Sequence, residues 1–210
     1  MKQYNEFKFS VIIPTMWYCD LIYPLLDNLT ASKLVGEIIL IDNNKSARPS
    51  KVVNTKKIRI VEQEQNIFVN PAWNLGVELS NYPNICISND DLVWDVNVLP
   101  YILENLHLGI IGQSTSNYYD VEEKLSIKEI VNRPWGWGCC FWLSKTNWVE
   151  IPSKLKVACG DDWLIKYIHA WEITGLKLKT EPHPWSVSRT SSRREFSIMG
   201  EMDMEVFKTL

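Results

Sequence analysis

The 210 residues suit a single domain with a short C-terminal extension, and a chain of that size buries roughly 70% of its unfolded surface, so it needs no covalent or metal staples. A net charge of −3 excludes a protein that binds nucleic acid through its overall charge and leaves only a local basic patch for that role. Five cysteines (19, 86, 139, 140 and 159) show neither Cys-x-x-Cys nor Cys/His ligand spacing, and their odd number without a leader peptide predicts a reducing, cytoplasmic setting. No apolar run approaches the roughly 18 residues of a membrane span. Ten tryptophans imply either a heavy core or an aromatic binding face.

In chain order, residues 9–13 read as a buried strand ended by Pro14-Thr15, followed by a helix over about 21–29 with Asp20 as its cap. Residues 37–41 form a second buried strand that runs into Asp42-Asn43-Asn44, and 58–61 a third, nearer an edge. Asn70-Pro71 opens a helix, Asn as N-cap and Pro in the first turn, with Ala72, Leu75, Val77 and Leu79 on its apolar side. Gly76 inside that helix predicts close packing. Residues 85–88 are a buried strand. These near-continuous apolar strands predict a mostly parallel sheet covered on both faces. Beyond Asp91 the pattern gives a helix over 96–106, a strand over 108–112, a polar stretch with a strand at 126–131, and a strand over 139–143. A short helix at 144–149 precedes a longer one opened by Gly160-Asp161-Asp162, with Leu164, Ile165, Ile168 and Trp171 on its apolar side. An edge strand at 176–180, a polar Ser/Arg-rich segment over 181–198 and a terminal helix over 201–210 complete the chain.

The chemistry concentrates where Ile85-Cys86-Ile87 runs into Ser88-Asn89-Asp90-Asp91. Adjacent carboxylates at the end of a buried strand repel each other unless a positive group lies beside them. A hard divalent cation accepts such oxygen ligands, usually with substrate phosphates completing its shell. The competing explanation is an Asx turn, which selects Asn and Asp for backbone reasons.

Six features in one order carry a resemblance. They are Val11-Ile12-Ile13-Pro14-Thr15, the strand ending in Asp42-Asn43-Asn44, Gln65-Asn66 with Asn74-Leu75-Gly76, Ser88-Asn89-Asp90-Asp91, Trp135-Gly136-Trp137-Gly138, and Gly160-Asp161-Asp162-Trp163-Leu164. Over about residues 9–190 the chain resembles the GT-A glycosyltransferases, especially the family 2 type. The resemblance implies a three-layer α/β/α sandwich with a mostly parallel, mixed sheet, residues 9–91 binding nucleotide, 92–190 binding acceptor and 191–210 forming a tail helix. It implies inverting transfer from a nucleotide-sugar, in first place a UDP-sugar, with Mn²⁺ or Mg²⁺. Pro14, Thr15, Asp42, Asn44, Asn66, Asn74, Asn89 and Asp90 then fall at the donor, with Asn89 in place of the usual first acid of a DxD motif. Asp91 is the implied metal ligand, and His183 a second. Asp162 is the implied general base, and Asp161 orients the acceptor or caps the helix. Trp135, Gly136, Trp137 and Trp163 are implied acceptor contacts, and Arg189 and Arg193 (with Arg194) close over the diphosphate. Trp73 stands where the family frequently has Arg, which predicts an unusual donor or acceptor. The acceptor is a glycan by default. The Arg-rich segment also permits a modified DNA base, presented to the pocket by flipping. A non-catalytic carbohydrate- or nucleotide-binding protein on the same fold is the alternative from another class. A nucleotidyltransferase ranks lower, because Pro14-Thr15-Met16-Trp17 is no phosphate loop.

Overall fold

The computed structural model describes residues 2–50, 55–113, 124–134, 136–180 and 193–210. Its centre is an eight-stranded mixed sheet in the order β3-β2-β1-β4-β8-β6-β9-β7. The strands are β1 (Phe9–Thr15), β2 (Val35–Asp42), β3 (Ile58–Glu62), β4 (Asn84–Ser88), β6 (Ile110–Gln113), β7 (Ser126–Glu129), β8 (Cys140–Ser144) and β9 (Ala170–Thr174). Strands β3, β2, β1 and β4 run parallel, as do β6 and β9, while β8 is antiparallel to β4 and β6, and β7 to β9. A two-stranded antiparallel ribbon of β5 (Leu92–Trp94) and β10 (Leu178–Thr180) forms a second, smaller sheet, packed on the first through Trp94 against Trp142.

The alternation along β1 shows why both faces must be covered. Val11 and Ile13 point to one side, where they join Leu25, Leu26 and Leu29 of α1 (Ile22–Ala31) and Leu99 and Ile102 of α3 (Leu99–Asn105). Ile12 points to the other, among Ala72, Trp73 and Val77 of α2 (Val69–Leu79) and Leu164 of α4 (Gly160–Tyr167). All of these residues are at most 5% exposed, which is what an apolar strand buried on both faces requires. A Cβ at Gly76 would collide with Ile12, so the glycine lets α2 lie close on the sheet. A last helix, α5 (Arg194–Phe207), follows. Among the described residues no helix is long and apolar enough to cross a membrane.

Several local expectations change. Asp20 does not cap α1: the N-cap position is Leu21, with no side-chain bond. Asn70 lies inside the first turn of α2, with Phe68 at the N-cap position, and its side chain bonds Ala158 instead. The helix expected over 96–106 is split into a 3-10 turn (Val96–Val98), α3, and another 3-10 turn (Leu106–Leu108). A 3-10 turn at Lys145–Asn147 replaces the short helix after Ser144. The helix at Gly160 ends at Tyr167, because Ile168 turns extended, and Trp171 belongs to β9.

Candidate active site

The parallel strands β1, β2 and β4 end on one edge of the sheet, at Thr15, Asp42 and Ser88. A cavity of about 390 Å³ opens there, the usual position for a ligand in an open α/β sheet. Pro14, Thr15, Asn43, Asn66, Asn89 and Asp90 form its polar wall, and Arg133 and Asp161 face it from the later half of the chain. Phe68, Trp73 and Phe196 are among its apolar lining.

The polar wall is tied together from strand end to strand end. The Thr15 hydroxyl donates to Asp90 Oδ2 at 2.6 Å and accepts the Trp17 N–H at 2.9 Å. Trp17 is left-handed at φ 60°, and its indole N–H reaches Asp42 Oδ1 at 2.8 Å. Asp42 is fully buried. It also accepts the Asn44 N–H at 3.1 Å and lies 3.3 Å from Arg48 Nη1. Asp42 is therefore held beneath the cavity rather than on its lining. Asn43 and Asn66 shape the next turn, accepting the N–H groups of Ile67 and Phe68. Phe68 also has a positive φ, at 69°, with ψ extended at 175°.

Asp90 and Asp91 are both buried, at 5% and 1% exposure. Burial, followed by the charge of Asp91, pushes the Asp90 carboxyl up to about 7, against the pull of the Thr15 hydrogen bond. Of the two, Asp90 lines the cavity and Asp91 does not. Among the described residues there is no cluster of three or more His, Cys, Asp or Glu able to hold a metal. The three side chains Asn89, Asp90 and Asp91 supply hard oxygens only.

Across the cavity, α4 begins with the second acid pair. Arg133 Nη1 lies 3.1 Å from Asp161 Oδ2, and its Nε donates to Asp162 Oδ1 at 2.6 Å. Burial pushes the Asp161 carboxyl above its ordinary range, Arg133 opposes that shift, and Asp162 adds to it. Gly138 sits against Asp161, where a Cβ would collide with the carboxylate. Cys159, left-handed at φ 59°, leads into the helix. Its thiol is pushed up to about 11, first by burial and then by the neighbouring acids Asp162, Asp161 and Asp203, which leaves it an unreactive thiol at neutral pH.

Other expected site residues lie elsewhere. Asn74 donates to the Ile151 carbonyl at 2.8 Å and accepts from Trp148 Nε1 and the Ile151 N–H, so it pins the 148–151 loop. Trp137 is fully buried, stacked on Phe141 at 5.7 Å, with its N–H on the Trp171 carbonyl. Trp163 donates to the Glu150 carbonyl and meets Tyr167 edge-on. Neither ring lines the cavity, whereas Gly136, left-handed at φ 74°, does. Asn44 bonds the Tyr18 hydroxyl at 3.3 Å, and the Arg193 guanidinium lies 3.8 Å over the same Tyr18 ring. Trp135, His183 and Arg189 lie outside the described residues. Arg133 and Phe196 were not predicted. An Arg just ahead of the Trp-Gly-Trp-Gly stretch was the available signal for the first; the second had none.

The family model described as Glycosyl transferase family 2 matches residues 10–169. No curated protein matches the sequence significantly. Among solved structures the fold is similar to the 1–349 portion of S. aureus TarS, at a TM-score of 0.63 and 15% identity over 95% of this chain and 70% of that one. The same portion in complex with UDP-GlcNAc gives 0.65 and 14% over 91% and 64%. GalNAc-T7 with UDP, GalNAc and Mn²⁺ gives 0.59 and 10% over 84% of this chain but only 44% of that one.

Proposed function

As a member of Glycosyl transferase family 2 the chain is a nucleotide-sugar glycosyltransferase, and we propose that it is an inverting one, which binds its donor at the ends of β1, β2 and β4 and activates the acceptor at the start of α4. The observation that carries this reading is the presence of two acidic groups on one cavity: Asp90 at the end of β4 and Asp161, beside Asp162, at the start of α4. Two carboxylate groups in different environments divide the labour of such a reaction.

Pro14, Thr15, Asn43 and Asn66 shape the donor side, and Asp42 holds the turn beneath it through Trp17 and Asn44. The donor is a UDP-sugar, in keeping with the UDP-GlcNAc and UDP complexes of the similar folds. Mn²⁺ or Mg²⁺ fits the adjacent acids: Asp90 is buried beside Asp91 and carries an upward-shifted carboxyl, a strain that a divalent cation relieves. Asn89, Asp90 and Asp91 would hold it, with His183 as a further ligand, and it would supply charge to neutralise the leaving diphosphate.

Asp162 takes the acceptor proton. It holds the second position of the acid pair, lies beside Asp161 just outside the cavity lining, and is the more open of the two, with its side chain 28% exposed against 12% for Asp161. Asp161, packed over Gly138 and lining the cavity, orients the acceptor. Arg133 pairs with both acids and fixes their rotamers. The acceptor is a glycan hydroxyl. No feature of the described residues favours DNA, since Arg193 is engaged over Tyr18.

A thermal-shift screen of UDP-, GDP-, CMP- and dTDP-sugars, each with Mn²⁺ and with EDTA, tests the donor assignment. A metal-dependent rise in midpoint with one nucleotide is the expected result. No rise with any of them overturns it.

A further inference from the structure

We propose that Asp203, on the last helix, is a positioning residue for the acid pair Asp161–Asp162. The inference rests on reading that pair as the acceptor-activating group. Asp203 is 2% exposed, although its neighbours Met202 and Met204 are 64% and 47% exposed. Its Oδ2 accepts three consecutive backbone N–H groups, from Lys156 at 2.9 Å, Val157 at 2.6 Å and Ala158 at 2.8 Å. Converging N–H groups of this kind form an anion-binding concavity, and here the chain fills it with its own carboxylate. The carbonyls of the same segment are held from the opposite side. The Asn70 N–H donates to the Lys156 carbonyl at 3.1 Å, and Asn70 Nδ2 to the Ala158 carbonyl at 2.9 Å.

Residues 156–158 are thus gripped between α2 and α5, and the grip passes on without slack. Cys159 follows in the left-handed conformation, which a non-glycine residue keeps only where its surroundings impose it. Gly160 comes next, pressed so closely on the Asn70 side chain that a Cβ would collide with it. Asp161 and Asp162 follow directly. The same helix places Phe196 in the cavity wall, edge-on to Phe68 with ring centroids 6.5 Å apart. Helix α5 is therefore part of the site. A charge at Asp203 sets the angle at which α4 presents its two acids.

The test compares the full-length wild type with Asp203→Ala and Asp203→Asn. The Asn variant keeps an oxygen for the three N–H groups while losing the charge. For Asp203→Ala, measured well below its melting midpoint, the expected result is a kcat about 10- to 100-fold lower, with nucleotide affinity by calorimetry within about 2-fold of wild type. Asp203→Asn falls between the two, about 3- to 10-fold below wild type, because a neutral amide oxygen accepts the three N–H groups more weakly than a carboxylate. Amide hydrogen exchange gives a readout independent of turnover: exchange in residues 156–163 accelerates in Asp203→Ala while Asn89–Asp91 stay protected. Unchanged exchange at 159–163 overturns the proposal whether or not the wild type shows transferase activity. So does a kcat that falls only in proportion to the folded fraction. If Asp203→Ala fails to fold, the same readouts are taken on Asp203→Asn, where unchanged kcat and unchanged exchange refute it. A wild type that transfers from no donor counts against the functional reading, and the exchange experiment then decides this one alone.

Discussion

The Thr15 hydroxyl donates to Asp90 Oδ2 at 2.6 Å, joining residues 75 apart in sequence across adjacent parallel strands at the head of the cavity. That bond is the main local counterweight to the burial and like charge that push the Asp90 carboxyl up to about 7. The sign for stability follows. Below about pH 4 the acid is protonated in folded and unfolded chains alike. Between pH 4 and 7 the unfolded chain loses the proton first, so stability is lost as pH rises through that window. The metal-free protein is expected to melt at a higher temperature near pH 5 than near pH 8, and Asp90→Asn to flatten the difference. Scanning calorimetry in EDTA checks both, and a profile equally steep in the variant would refute the assignment to Asp90.

Replacing Asp162 by Asn keeps the size of the side chain and removes its basicity. Transfer is expected to fall by about 10²- to 10⁴-fold, with donor affinity nearly intact. Steady-state kinetics beside calorimetric titration of the nucleotide will tell, and near-normal turnover would take the base assignment away from Asp162.

Arg133 bridges two acids that would otherwise repel each other. Its side chain is 32% exposed, so solvent screens part of the pairing, and Arg133→Ala is expected to cost only about 1 kcal/mol of stability. The larger consequence is for titration. Arg133 opposes the upward shift of the Asp161 carboxyl, so losing the cation lets that pKa rise further. The acidic limb of the pH–rate profile should move to higher pH in Arg133→Ala, and a limb that stays in place would mean that the ionisation of Asp161 does not govern turnover.

Trp137 was expected at the acceptor and lies in the core instead, stacked on Phe141 and donating to Trp171. Trp137→Ala should therefore lower stability by about 3–5 kcal/mol. Urea denaturation reads that loss. A variant that instead kept its stability and lost acceptor affinity would return Trp137 to the binding surface.

The parts of this fold that were legible from sequence are those fixed by local pattern. Continuous β-branched runs marked β1, β2 and β4, and the acids at the ends of β2 and β4 followed directly from the strands. Helix α4 was legible at its start but not at its end, because Leu164, Ile165, Ile168 and Trp171 keep a helical spacing through the point where Ile168 turns extended. The three-residue strand β5 leaves too little pattern to read, whereas the alternation of Leu176 to Thr180 marked β10. The aromatic loop misled for a different reason: a Trp packed in a core and a Trp facing a sugar are the same letter, and only packing separates Trp137 from Trp73, which does line the cavity. Arg133 and Asp203 act on partners 28 to 47 residues away, and nothing in the local sequence joins them.

Among the described residues three non-glycine positions have a positive φ, and all three are at the site: Trp17 beside Met16, Phe68 in the cavity wall, and Cys159 ahead of the acid pair. Each costs on the order of 1 kcal/mol or more relative to a glycine there. Anyone seeking a hardier version of this protein would find that reserve first at Cys159, whose thiol does no chemistry. Cys159→Gly would relieve that strain but would also free the peptide that leads into α4, so thermal tolerance and turnover are set against each other at a single residue.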